Sequence, residues 1–150
     1  MIWDSLTRFK KENVDNSKEA LKKILDWNEK TSEFDYFVER EKKYSFGIGK
    51  GVVLYQKQRE GEDAELSILI ANVPVKYDSF DGVPISIFCF LSSFKDEDLH
   101  LKYLSRFYRL MNFATFRDNL VNLSSKEEAK KLIKRDNLSY FFTFNCDSGG

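Results

Sequence analysis

Two short apolar runs, Val52-Val53-Leu54-Tyr55 and Ile85-Ser86-Ile87-Phe88-Cys89-Phe90-Leu91, constrain the fold of this chain more than any other feature. Both are rich in β-branched and aromatic residues and bounded by turn signals. Such runs read as strands buried on both faces, the second as a central one. A third strand spans roughly residues 65–73 and is closed by Pro74. The charged turn Glu60-Gly61-Glu62-Asp63 separates it from the first, and the short spacing predicts a hairpin or an adjacent pair.

Helical signals alternate with these runs. Asn16 is an N-cap with Glu19 three residues on, and Ala20, Leu21, Ile24 and Leu25 fall on one face behind it. A second short helix follows Thr31-Ser32, carries Phe34, Phe37 and Val38 inward, and ends with Glu39-Arg40-Glu41. Gly47, Gly49 and Gly51 make a loop that breaks it. Asp96, Glu97 and Asp98 open a third helix, where negative charge complements the macrodipole. Its apolar spacing runs through Leu101, Leu104, Tyr108 and Met111. A short piece bears Phe113, Phe116 and Leu120, and a capping box at Ser124-Ser125-Lys126-Glu127 starts a last helix with Ala129, Leu132 and Ile133. The tail from Leu138 to Cys146 has strand character, and residues 1–15 are left unassigned. The expectation is one α/β domain over residues 1–150.

Several function classes drop out. Lys plus Arg and Asp plus Glu both number 24 in the 150 residues, so no net field favours nucleic acid. No segment approaches the length of an apolar bilayer span, and the first residues lack a secretory apolar stretch. The two cysteines, Cys89 and Cys146, make neither a disulfide framework nor a metal-ligand pattern, so a reduced cytoplasmic protein without a cofactor is expected. No Ser/His/Asp or Cys/His set emerges around the single histidine, His100.

Five fragments carry a resemblance. Ser45-Phe46-Gly47-Ile48-Gly49-Lys50-Gly51, preceded by Glu39-Arg40-Glu41 and followed by Val52 to Gln56, is similar to the signature of bacterial phosphotransferase-system enzyme IIA domains of the fructose, mannitol and nitrogen-regulatory class. Residues 17–25 resemble that family's first helix, and Tyr77 to Ile85 its approach to the central strand. His100-Leu101-Lys102-Tyr103-Leu104 resembles its His-Leu-x-x-Leu helix, and Phe116 to Leu120 with Ser125 to Glu128 its closing helix pair. The resemblance covers residues 17–133 and leaves 134–150 as a C-terminal extension. It implies a small mixed sheet flanked by helices.

It also implies where the chemistry stood. The family's Thr, Pro and phosphoacceptor His fall on Phe46, Tyr55 and Gln56, while His100 falls on its second histidine. A phosphocarrier needs a nitrogen lone pair that attacks phosphorus, which neutral imidazole supplies. The glutamine amide nitrogen is delocalised into its carbonyl and is a poor nucleophile, although it mimics neutral histidine as donor and acceptor. Gln56 would therefore hold the site in an unphosphorylated-like state. The implied function is a regulatory, phosphorylation-incompetent descendant that binds HPr, an enzyme IIB domain or a regulated target through the surface around Gln56 and His100. Two alternatives stand beside it: a phosphocarrier using His100, and an interaction or homo-oligomerisation domain unrelated to phosphotransfer, for which the tail aromatics Tyr140, Phe141, Phe142 and Phe144 would matter more. The glycine-spaced loop fits no phosphate-binding motif and is better explained as a tight turn. Lys42, Lys43, Lys50 and Lys57 are read as a solvated face or as a basic rim.

Overall fold

The computed structural model describes residues 2–61 and 63–149, with side chains described as far as residue 137. Five strands form one mixed sheet: β1 (Leu6–Glu12), β2 (Gly47–Gly49), β3 (Val52–Gln58), β4 (Glu65–Val75) and β5 (Ile85–Ser93). Their spatial order is β1-β4-β5-β3-β2, with β1 parallel to β4, β5 antiparallel to β4 and parallel to β3, and β2 antiparallel to β3.

Helices cover both faces, as the doubly buried strands require. On one side lie α1 (Ser17–Trp27) and α2 (Phe34–Glu41); on the other lie α3 (Glu97–Asn112), α4 (Ala114–Val121) and α5 (Lys126–Gly149). Alternate strand residues feed the two cores. Val52, Leu54, Ile87, Cys89 and Leu91 face α3, α4 and α5, whereas Val53, Tyr55, Phe88 and Phe90 face α1 and α2. The expected start signals are in place: Asn16 Oδ1 accepts from Glu19 N at 2.8 Å, Asp96 Oδ1 from Leu99 N at 3.1 Å, and Ser125 Oγ from Glu128 N at 3.2 Å. No helix among the described residues is long and apolar enough to cross a membrane.

Five sequence expectations are corrected. The unassigned N-terminal stretch holds a 3-10 turn (Ile2–Ser5) and β1, with Ile2, Leu6 and Phe9 buried. Strands β3 and β4 are not paired, because β5 inserts between them: it is almost wholly buried and takes the central place. Gly47 to Gly49 forms a short strand, since its backbone pairs with Val52 and Val53. On α3 the buried side is Tyr103, Phe107, Leu110 and Met111, while Leu101 and Tyr108 are 53% and 39% exposed. Two apolar stripes compete on that helix, and the one with Phe107 and Tyr103 turns inward. Finally, α5 runs to Gly149, where a strand was expected between Leu138 and Cys146. Extending a capped helix costs little once its first turn exists. The side chains of Tyr140, Phe141, Phe142, Phe144 and Cys146 lie outside the described residues.

Candidate functional site

Gln56 sits in the second half of β3, opposite Leu91 of β5. Pleating sends its side chain to the same face as Leu54 and Gln58, toward α3, and sends Tyr55 and Lys57 the other way. A hydrogen bond joins the Gln56 side chain to the Tyr108 hydroxyl on α3. Burial pushes that hydroxyl above the ordinary tyrosine value, and the bond from Gln56 opposes the push. Two residues on, Gln58 Nε2 donates to Phe94 O at 3.3 Å and Glu97 Oε2 at 3.2 Å. Both glutamines thus tie the strand to α3.

His100 lies in the first turns of α3 and is 8% exposed. Its Nδ1 is 2.6 Å from Ser93 Oγ, and Ser93, the last residue of β5, is fully buried. Ser93 is also the register partner of Gln58. Gln56 and His100 therefore flank one strand–helix seam without a hydrogen bond between them among the described residues. Tyr108 connects to the first and Ser93 to the second. Sequence reasoning missed both: Tyr108 counted as core, and Ser93 looked like a strand end. A polar residue closing a buried strand, seven positions before a histidine at a helix start, was the available signal for Ser93.

The opposite face of β3 carries the other unusual residues. Tyr55 is fully buried and sits in an aromatic cluster, with ring centroids 4.9 Å from Phe46 and 5.7 Å from Phe37. Its hydroxyl donates to Glu41 Oε2 at 3.2 Å, and Tyr77 donates to the same oxygen at 2.5 Å. Tyr77 oxygen in turn accepts from Phe46 N at 3.0 Å. Burial first, then the neighbouring Glu41 charge, push the Tyr55 hydroxyl far up; burial and the bond to Glu41 push that of Tyr77 up to about 12. The end of α2, β3 and the connection after β4 are thereby held together.

The glycine-spaced segment is a turn with positive φ at Gly49, Lys50 and Gly51. Its Lys50 amide, which a phosphate would use in a cradle, is taken by Asp81 Oδ2 at 2.7 Å. Amide donors from Lys50 and Val83 hold the Asp81 carboxyl below its usual range. The four lysines form no common rim: Lys42 pairs with Glu39 at 2.9 Å, Lys57 pairs with Glu33 at 3.2 Å and lies over the Tyr36 ring, and Lys50 Nζ bonds Asn112. Lys43 is exposed. Cys89 is buried and its thiol pushed far up, which makes it unreactive. No metal-ligating group of three or more His, Cys, Asp or Glu occurs among the described residues.

A family model for the phosphoenolpyruvate-dependent sugar phosphotransferase system, EIIA 2, matches residues 4–136. No curated protein sequence matches the chain. Among solved structures, nitrogen regulatory protein IIA-Ntr from Neisseria meningitidis superposes with a TM-score of 0.71 at 22% identity, over 88% of this chain and 98% of that one. IIA mannitol from Escherichia coli gives 0.66 at 12% identity, over 87% and 96%. The complex of enzyme IIA mannitol with phosphorylated enzyme IIB mannitol from Escherichia coli gives 0.65 at 11% identity, over 87% and 94%.

Proposed function

Since the chain belongs to the EIIA 2 family of the phosphoenolpyruvate-dependent sugar phosphotransferase system, we propose that it is a regulatory member that binds a protein partner but carries no phosphate. The observation that carries this reading is Gln56. It stands where the family motif has its phosphoacceptor histidine, and its side chain is bonded to Tyr108. An amide nitrogen lacks the lone pair that phosphoryl transfer needs. The amide offers a partner the donor and acceptor of neutral imidazole, so the surface presents the unphosphorylated state permanently.

Phosphotransfer through His100 has little support. The ring is 8% exposed, and its Nδ1 is engaged by a fully buried serine. A phosphoryl group there would bring about two negative charges into a buried seam. The partner class follows from the relatives. Enzyme IIA mannitol is solved with phosphorylated enzyme IIB mannitol, and an enzyme IIB domain, HPr or a regulated target are the candidates for this chain.

The test is intact-mass measurement after incubation with phosphoenolpyruvate, enzyme I and HPr, with native protein beside Gln56→His. One added phosphate on the variant alone is expected. Phosphate on the native chain would overturn the reading and move the chemistry to His100. Phosphate on neither would mean that the docking surface has been lost as well.

A further inference from the structure

A cavity of about 530 Å³ opens at the β1 edge of the sheet, where the start of β1, the entrance to β4 and one side of α3 meet. That volume suits a small ligand. The cavity is separate from the Gln56 seam and plays no part in the function proposed above.

Its lining divides by chemistry. Ile2, Phe94, Leu99 and Tyr103 supply apolar surface, with the Phe94 ring edge-on to Tyr103 at 6.2 Å. Leu99 remains 45% exposed, an apolar side chain left uncovered beside these rings. Buried Ser5 adds a polar spot: its Oγ is bonded to the Tyr103 hydroxyl and donates to Ile2 O at 2.6 Å. The charges stand on opposite walls. Carboxylates of Asp4, Asp63 and Glu65 line the strand side, and Lys102 and Arg106, one turn apart, line the helix side. Lys102 makes no ion pair among the described residues, although three carboxylates border the same space. The two walls are therefore too far apart to close on each other through Lys102.

We infer that this cavity binds a small zwitterion with a flat apolar body, of the aromatic α-amino acid class. Its ring would lie against Phe94, Leu99 and Tyr103. Its ammonium would face the strand-side carboxylates, and its carboxylate would face Lys102. A purely anionic arene meets three carboxylates, and a purely cationic one meets Lys102 and Arg106. Only a ligand with both charges matches both walls.

Isothermal titration calorimetry on the full chain tests this with L-phenylalanine and L-tryptophan, beside phenylacetate and 2-phenylethylamine. The amino acids are expected to give saturable one-to-one binding. Each singly charged analogue, and Lys102→Ala with either amino acid, should bind about tenfold or more weakly. Lys102 is exposed on a helix and alanine is the best helix former, so this variant keeps the fold. Absence of saturable heat from both amino acids, equal binding of phenylacetate, or unchanged affinity of Lys102→Ala would each overturn the inference.

Discussion

Tyr55 and Tyr77 donate their hydroxyls to one and the same carboxylate oxygen, Glu41 Oε2, at 3.2 and 2.5 Å. Tyr55 stands where the family motif has proline, so this arrangement depends on a residue at which the chain departs from its relatives. The hydroxyl also explains how a buried tyrosine is tolerated there: its one polar atom has a charged acceptor.

Removing that hydroxyl tests its contribution. Hydrogen bonds to charged groups contribute about 1.5–3 kcal/mol, so Tyr55→Phe should lower unfolding stability by about that much while keeping the aromatic cluster. Urea unfolding of the variant beside native protein measures it. A loss below about 0.5 kcal/mol would mean that Tyr77 alone satisfies Glu41.

The same tyrosines set an alkaline limit. Tyr77 ionises near 12 in the folded chain, against about 10 for a free tyrosine, and Tyr55 and Tyr103 are also raised by burial. A raised folded value means that the folded state holds its protons more tightly than the unfolded one. The corresponding stability is complete below about pH 10 and is lost as pH rises toward 12. Unfolding free energy should be flat with respect to these groups through neutral pH and fall across that window, with tyrosinate absorbance appearing together with unfolding. Tyrosinate appearing at pH 10 in a chain that is still folded would contradict the burial argument.

The turn before β3 offers a graded series. Gly51 has φ +80°, and an added Cβ would stand 2.9 Å from Pro84 O, a backbone atom that cannot easily yield. Gly49 has φ +92°, and its Cβ would meet Phe80 Cζ at 2.8 Å, but Phe80 is 83% exposed and can swing away. Gly82 has φ +66° with nothing nearby. Alanine at 82 should cost only the left-handed penalty of about 1–2 kcal/mol. Alanine at 49 should cost somewhat more, and alanine at 51 the most. Thermal unfolding of the three variants gives the order, and equal losses would show that φ alone decides.

Much of this fold was legible because the doubly buried strands, the caps at Asn16, Asp96 and Ser125, and the glycine-spaced turn are local signals. What escaped was set by tertiary context. Strand β1 has apolar anchors at Leu6 and Phe9, three apart, because the pairing with β4 shifts between Leu6 and Arg8, which breaks the alternation that marks a strand. As an edge strand it also carries Arg8, Lys10 and Lys11, as exposed edges commonly do. The insertion of β5 between β3 and β4 has no local signature, since both neighbours are apolar enough to pair with either. At the candidate site, Gln56 and His100 were visible by position, but Ser93 and Tyr108 become relevant only once α3 is laid across the sheet.

The Ser93–His100 pair yields the last prediction. Both residues are buried, with 2.6 Å between Oγ and Nδ1. Ser93→Ala would strand an imidazole nitrogen away from water and should cost about 1–3 kcal/mol, whereas replacing both partners by apolar residues can be nearly neutral. The double variant Ser93→Ala/His100→Leu should therefore recover part of the loss, which a denaturant-based double-mutant cycle would read as coupling. If the two single losses simply add, the pair is not a structural unit. Coupling would explain why a histidine persists in a chain whose phosphoacceptor position is glutamine: its ring nitrogen closes the seam between β5 and α3, and that task needs no phosphate.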